Sequence, residues 1–172
     1  MKTLAPLFLI ILLSSCSSNS KKVVDKLYYR FGEAQSVSES TNFMVQRPTA
    51  MGILGNRPMV AQNTDGALLQ LNHNFWIDSP KILLQNYLIK SFNVPPKQQD
   101  NTLKANILSF EKKGATSLVS IAFTLVGNDN KTIFQKTYTQ QLELSENTMS
   151  AFVKSVSKSL QIIIKSLAED LK

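Results

Sequence analysis

Apolar and polar positions alternate in short runs through most of the chain, and the spacing turns helical in two places. Val23 to Phe31 alternates with Leu27, Tyr29 and Phe31 on one side and Lys26, Tyr28 and Arg30 on the other, which predicts a strand. Gly32 to Asn42 is polar, has no apolar period and reads as a loop. Phe43 to Arg47 is a second short strand, stopped by Pro48. Gly55-Asn56-Arg57-Pro58 signals a turn, and Met59-Val60-Ala61 resumes as a strand. Asn63 to Gly66 is a hairpin turn built on Asp-Gly, after which Ala67, Leu69 and Leu71 alternate with Gln70 and Asn72.

Asp78-Ser79-Pro80 opens the first helix, with Ser79 as N-cap and Pro80 at a position where no donor is lost. Leu83, Leu84, Tyr87 and Leu88 form its apolar face through Phe92, and Pro95-Pro96 ends the unit. Three strands follow at short spacing, over 102–110, 117–126 and 132–144, turned at Lys112-Lys113-Gly114 and Asn128-Asp129-Asn130. They predict an antiparallel meander. From Met149 to Leu171 apolar residues keep the helical 3, 4, 7 spacing for six turns, with Ser145 as the expected N-cap. The opposite face carries Lys154, Lys158, Lys165 and Lys172, a stripe that reads as a solvated face or as one laid on acidic headgroups or an acidic partner. Helices this amphipathic cover one face of a sheet, so the expected class is α+β: one domain over 23–172, mainly antiparallel, with two amphipathic helices.

The first residues follow a different rule. Leu4 to Leu13 is an apolar run of ten residues behind a single Lys2, too short to span a bilayer and fitting the core of an export signal. Leu13-Ser14-Ser15-Cys16 looks like a bacterial lipobox, with cleavage between Ser15 and Cys16 and acylation of the Cys16 thiol. Residues 1–15 are then the leader and 16–22 an acylated cysteine with a short polar tether. The acyl chains on Cys16 are the only added group expected, with no cofactor and no metal. Ser17 beside that cysteine fits outer-membrane sorting, with the domain facing the periplasm.

Composition narrows the chemistry. One Cys and one His in 172 residues leave no disulfide scaffold, no Cys-rich zinc site and no multi-His metal centre. His73 lies between two asparagines with no signature supplying a nucleophile or an orienting carboxylate. Asp65 and Asp78 read as a turn residue and a helix-start residue. Gly52-Ile53-Leu54-Gly55 lacks the Lys-Ser/Thr of a phosphate loop. No catalytic residue is assigned, and the expectation is a protein that is not an enzyme. A surface hydrolase working through His73 is the weakest reading. The formal charge of +7 is spread along the chain and, in an exported protein, points to an anionic membrane surface or an acidic partner rather than nucleic acid.

The order of these features resembles the ABC-type transport auxiliary lipoproteins, the PqiC/YmbA-like family. The lipobox is soon followed by Tyr28-Tyr29-Arg30-Phe31, similar to that family's opening Tyr-Tyr strand. Val45-Gln46-Arg47-Pro48 and Leu54-Gly55-Asn56-Arg57-Pro58-Met59-Val60 resemble its leucine, turn, arginine-proline, strand segment. Phe75-Trp76-Ile77-Asp78 enters a helix, and the meander and long last helix close the match over nearly the whole mature chain. The resemblance implies a compact α+β domain serving as a non-catalytic accessory of an ABC- or MCE-type transport system for lipids or other hydrophobic molecules. Its implied partners are subunits of that system and, in a collar, further copies of the chain. Arg57, Pro58, Trp76, Lys154, Lys158 and Lys165 are the candidate contacts, although Trp76 also suits a place between sheet and helix and Arg57-Pro58 a plain turn. The alternative is a stand-alone periplasmic lipoprotein that binds a lipid or other hydrophobic ligand itself.

Overall fold

The computed structural model describes residues 24–37, 41–97 and 99–172. The leader, the lipobox and Cys16 lie outside the described residues. The expected α+β class is what the chain adopts: a sheet of eight strands with two helices packed on it. The strands are β1 (Leu27–Tyr29), β2 (Phe43–Val45), β3 (Thr49–Ala50), β4 (Pro58–Gln62), β5 (Leu68–Trp76), β6 (Asn101–Lys113), β7 (Thr116–Val126) and β8 (Thr132–Glu143). The helices are α1 (Pro80–Ser91) and α2 (Met149–Asp170), and a 3-10 turn spans Gly52–Gly55.

The meander β6-β7-β8 is antiparallel throughout, as its short turns dictate. Asn130 and Gly114 take the positive φ values, 62° and 56°, that those turns need. The sheet is mainly antiparallel as expected, and its remaining strands add parallel pairings. β2, β3 and β4 line up end to end along the other edge of β6, and all three run parallel to it. β4 then turns through the Asn63–Gly66 hairpin into antiparallel β5, and β1 pairs parallel to the far end of β5. The order β1-β5-β4-β6-β7-β8 therefore leaves β1 and β8 as its edges. β5 runs on through Trp76, so His73 sits exposed inside a strand and not at its end.

Register sorts the meander into two faces. Leu103, Ile107 and Phe110 of β6 and Val119, Ile121 and Phe123 of β7 face the helices and are fully or almost fully buried. They meet Phe152, Val156, Leu160, Ile163, Ile164 and Leu167, the stripe of α2 foreseen from its spacing. Among the described residues, every buried apolar residue lies between Phe31 and Ala168. The opposite face is open and polar, with Thr137, Thr139 and Gln141 of β8 exposed and Ser120 bonded to Thr139 at 2.8 Å.

The helix starts differ in detail from expectation. α1 begins behind Ser79 as expected, but the Ser79 hydroxyl makes no capping bond and is buried without a partner. α2 is capped by Thr148 rather than Ser145: its Oγ1 accepts the Ala151 N–H at 3.2 Å. At the other end of α2, Asp170 accepts bonds from Lys136, at 2.7 Å, and from the Tyr138 hydroxyl. These partners hold the Asp170 carboxyl below its ordinary value. That contribution to stability is present above the ordinary aspartate range and fades as the pH falls through the lowered value.

Glu111 stands out on the open face of β6, only 4% exposed between Val60 of β4 and Leu118 of β7. Its carboxylate accepts the Phe110 N–H at 2.5 Å. Burial pushes its pKa up against the smaller opposing pull of that bond, of Ser109 and of Lys113. A raised carboxyl contributes stability below the ordinary range and loses it as the pH rises through the folded value, so ionised Glu111 is a cost at neutral pH. Glu111→Gln is expected to stabilise the domain by about 1 kcal/mol at pH 7. In urea titrations the gain should disappear near pH 4, and an equal gain at both pH values would contradict the assignment.

Candidate functional site

Arg57 and Pro58 come together with β1 at one edge of the sheet. Pro58, whose missing N–H is tolerated at the first position of a strand, opens β4 opposite Phe75. The Trp76 N–H donates to the Arg57 carbonyl at 2.8 Å, and Arg57 Nε donates back to the Trp76 carbonyl at 3.3 Å. This pins the guanidinium over the Tyr28 ring, 5.4 Å from its centroid. Tyr28 in turn lies on Phe75 with centroids 5.5 Å apart, and Lys26 Nζ stands 5.6 Å from the Phe75 ring. Val24, Leu27 and Tyr28 are each about half exposed, at 54%, 50% and 50%, and Ile77, which donates its N–H to Tyr29, is 40% exposed. The edge thus presents a mixed apolar, aromatic and cationic surface where the chain enters the domain.

Trp76 belongs to the core, the packing alternative of the sequence reading. It is 1% exposed and its ring meets Phe31 edge-on at 5.2 Å, Phe110 at 5.5 Å and Phe152 at 6.2 Å. Alternation along β5 puts Phe75 outward and Trp76 inward, so the tryptophan has no surface to offer a partner. Lys154, Lys158 and Lys165 are exposed on α2, as is Lys172 beyond its end. Lys154 and Lys158 lie beside the end of β8, at the opposite edge from Arg57. Lys165 and Lys172 border a different feature.

That feature is a cleft of about 470 Å³ between α1, the C-terminal half of α2 and the segment Gln35–Val37. Two bonds hold the segment to the end of α1: Val37 N–H to the Ser91 carbonyl at 2.8 Å, and Asn93 Nδ2 to Ser36 Oγ at 2.7 Å. Tyr87 and Ser91 of α1 line the cleft. Both are buried, at 4% and 0% exposure, and among the described residues neither hydroxyl has a hydrogen-bond partner. Such an unmade bond costs about 1–3 kcal/mol. Burial also pushes the Tyr87 pKa up, so the phenol keeps its proton and can donate. In the sequence Tyr87 belongs to the apolar face of α1, and Ser91 is part of no motif. The available signal was their four-residue spacing, which sets two hydroxyls on one helix face.

Among the described residues no group of three or more His, Cys, Asp and Glu side chains is placed to hold a metal ion. No helix among them is long and apolar enough to cross a membrane.

A mixed sheet with a full-length antiparallel meander, one short helix and one long C-terminal helix is a fold already seen in solved structures. No protein-family model matches the chain, and no curated protein matches it in sequence. Protein XCC0632 from Xanthomonas campestris, of family DUF330, superposes with a TM-score of 0.72 over 82% of this chain and 92% of its own, at 17% identity. A second, uncharacterized protein superposes with a TM-score of 0.73 over 86% and 99%, at 16% identity. PelC from Paraburkholderia phytofirmans, solved as a dodecamer, reaches only 0.42 at 9% identity over 76% and 91%, too weak an overlap to argue from. DUF330 is the PqiC/YmbA-type family, so the fold implied by the sequence resemblance is the fold observed.

Proposed function

We propose that this protein is a membrane-anchored envelope lipoprotein that acts as a non-catalytic accessory of an ABC- or MCE-type system moving lipids or other hydrophobic molecules. Acylated Cys16 fixes it to the outer membrane, and the domain docks a periplasmic component of the transporter. The observation that carries this reading is the β1 edge. A lipid-anchored chain enters the domain at the strand that leaves Leu27 and Tyr28 exposed and Arg57 held over an aromatic ring. Exposed apolar surface of this kind marks an interaction site. Eight residue steps separate Cys16 from Val24, a reach of at most about 28 Å, so the edge works near the membrane. The lipobox and the sequence resemblance support the accessory role, and the XCC0632-type fold agrees with the fold that resemblance implies.

A photo-crosslinking amino acid placed at Leu27 of the full lipoprotein, in its own host, tests the reading. The expected product is a covalent adduct with a transporter or MCE-domain subunit, identified by mass spectrometry. It should weaken several-fold with Arg57→Ala. Crosslinks to lipid alone, or to a second copy of the chain alone, would overturn the assignment of this edge to a transporter partner.

A further inference from the structure

We propose that the cleft between α1 and α2 binds a single-chain amphiphile whose head presents two anionic oxygens, a carboxylate or a phosphate ester. Tyr87 and Ser91 are one turn apart on α1 and both line the cleft, and among the described residues neither hydroxyl has a partner, so both remain to donate to an anionic head. Lys165 and Lys172 border the same cleft against the single acid Glu169, which selects an anion over a neutral or cationic head. The rest of the wall sets apolar Val37, Ile162, Ile164 and Ala168 beside polar Gln35, Ser36 and Gln161. A second cleft, of about 620 Å³, shares Val37, Ala168 and Lys172 with the first and continues to Phe43, Phe92 and Leu125. The hydroxyls and Lys165 in the first cleft, Lys172 where the two clefts meet, and the apolar Phe43, Phe92, Leu125 and Leu171 beside Thr41, Asn42 and Gln99 in the second match a head followed by an acyl chain, and the volumes are those of small-ligand sites.

This site is independent of the docking edge, and the test needs neither transporter nor anchor. The polypeptide 17–172, which holds every buried apolar residue found among the described ones, is titrated with cis-parinaric acid, whose fluorescence rises in an apolar site. Saturable binding is expected, displaced by oleate and by lysophosphatidylglycerol but not by inorganic phosphate. Tyr87→Phe and Ser91→Ala should each weaken it about tenfold. Lys165→Ala should weaken it a few-fold and flatten its salt dependence. Because neither hydroxyl has a partner among the described residues, the urea midpoint of the unliganded variants should stay the same or rise. The proposal is overturned by absence of saturable binding, by displacement with inorganic phosphate, or by unchanged affinity in the double variant. A lower urea midpoint in either unliganded variant would also overturn it, because the hydroxyls would then be bonded within the fold.

Discussion

Replacing Trp76 with Ala is expected to cost the domain about 3–5 kcal/mol. The ring is the junction of four parts of the chain. It closes the end of β5, and it touches Phe31 from the segment behind β1, Phe110 from the middle strand and Phe152 from α2. Alanine would leave a cavity that those three rings cannot fill without leaving their own contacts, so transfer and cavity terms add. A domain of this size is stable by only about 5–15 kcal/mol, so the loss is a large fraction of the whole. With a urea slope of about 2 kcal/mol per molar, the midpoint should fall by about 1.5–2.5 M. Far-UV circular dichroism is the right probe, since the chain has one Trp and the variant has none. Leu69→Ala, at a side chain 52% exposed on the β4–β5 hairpin, should shift the midpoint by about a tenth of that at most. A Trp76→Ala loss below about 1 kcal/mol would mean that the aromatic junction is not a packing centre.

The second large effect is on location. Cys16→Ser is expected to abolish incorporation of labelled palmitate and to release the chain from membranes washed with alkaline carbonate. Each buried methylene of an acyl chain is worth about 0.8 kcal/mol, and one chain alone anchors only marginally, whereas two or more anchor stably. The thiol is the sole acceptor for the diacylglyceryl group, because the chain has one cysteine. Without it the remaining leader has an apolar run of ten residues, half of what spans a bilayer. Membrane retention of the serine variant after carbonate, or wild-type protein that takes up no label, would remove the anchor from the proposed function and leave the cleft proposal standing.

Local periodicity and chemistry in one dimension were readable along the chain. Alternation and turn residues specify the meander, because antiparallel strands joined by two- to five-residue turns have little choice of partner. The six-turn apolar stripe specifies α2 and the face it buries. The lipobox is legible because its chemistry needs only a thiol at one place. The tertiary structure alone decided the pairings that join distant segments. β2, β3 and β4 each have two to five residues, too few to declare a partner, and they run parallel to β6, whose thirteen residues are long enough for all three. The inward turn of Trp76 and the outward turn of Phe75 follow from β5 continuing as a strand to the start of α1, which composition around Phe75-Trp76-Ile77-Asp78 does not reveal. The cleft was illegible for the same reason. Tyr87 and Ser91 become a pair by helix spacing, but their burial without partners exists only once α2 and Gln35–Val37 close around them, and no local rule in the sequence carries the positions of three separate segments.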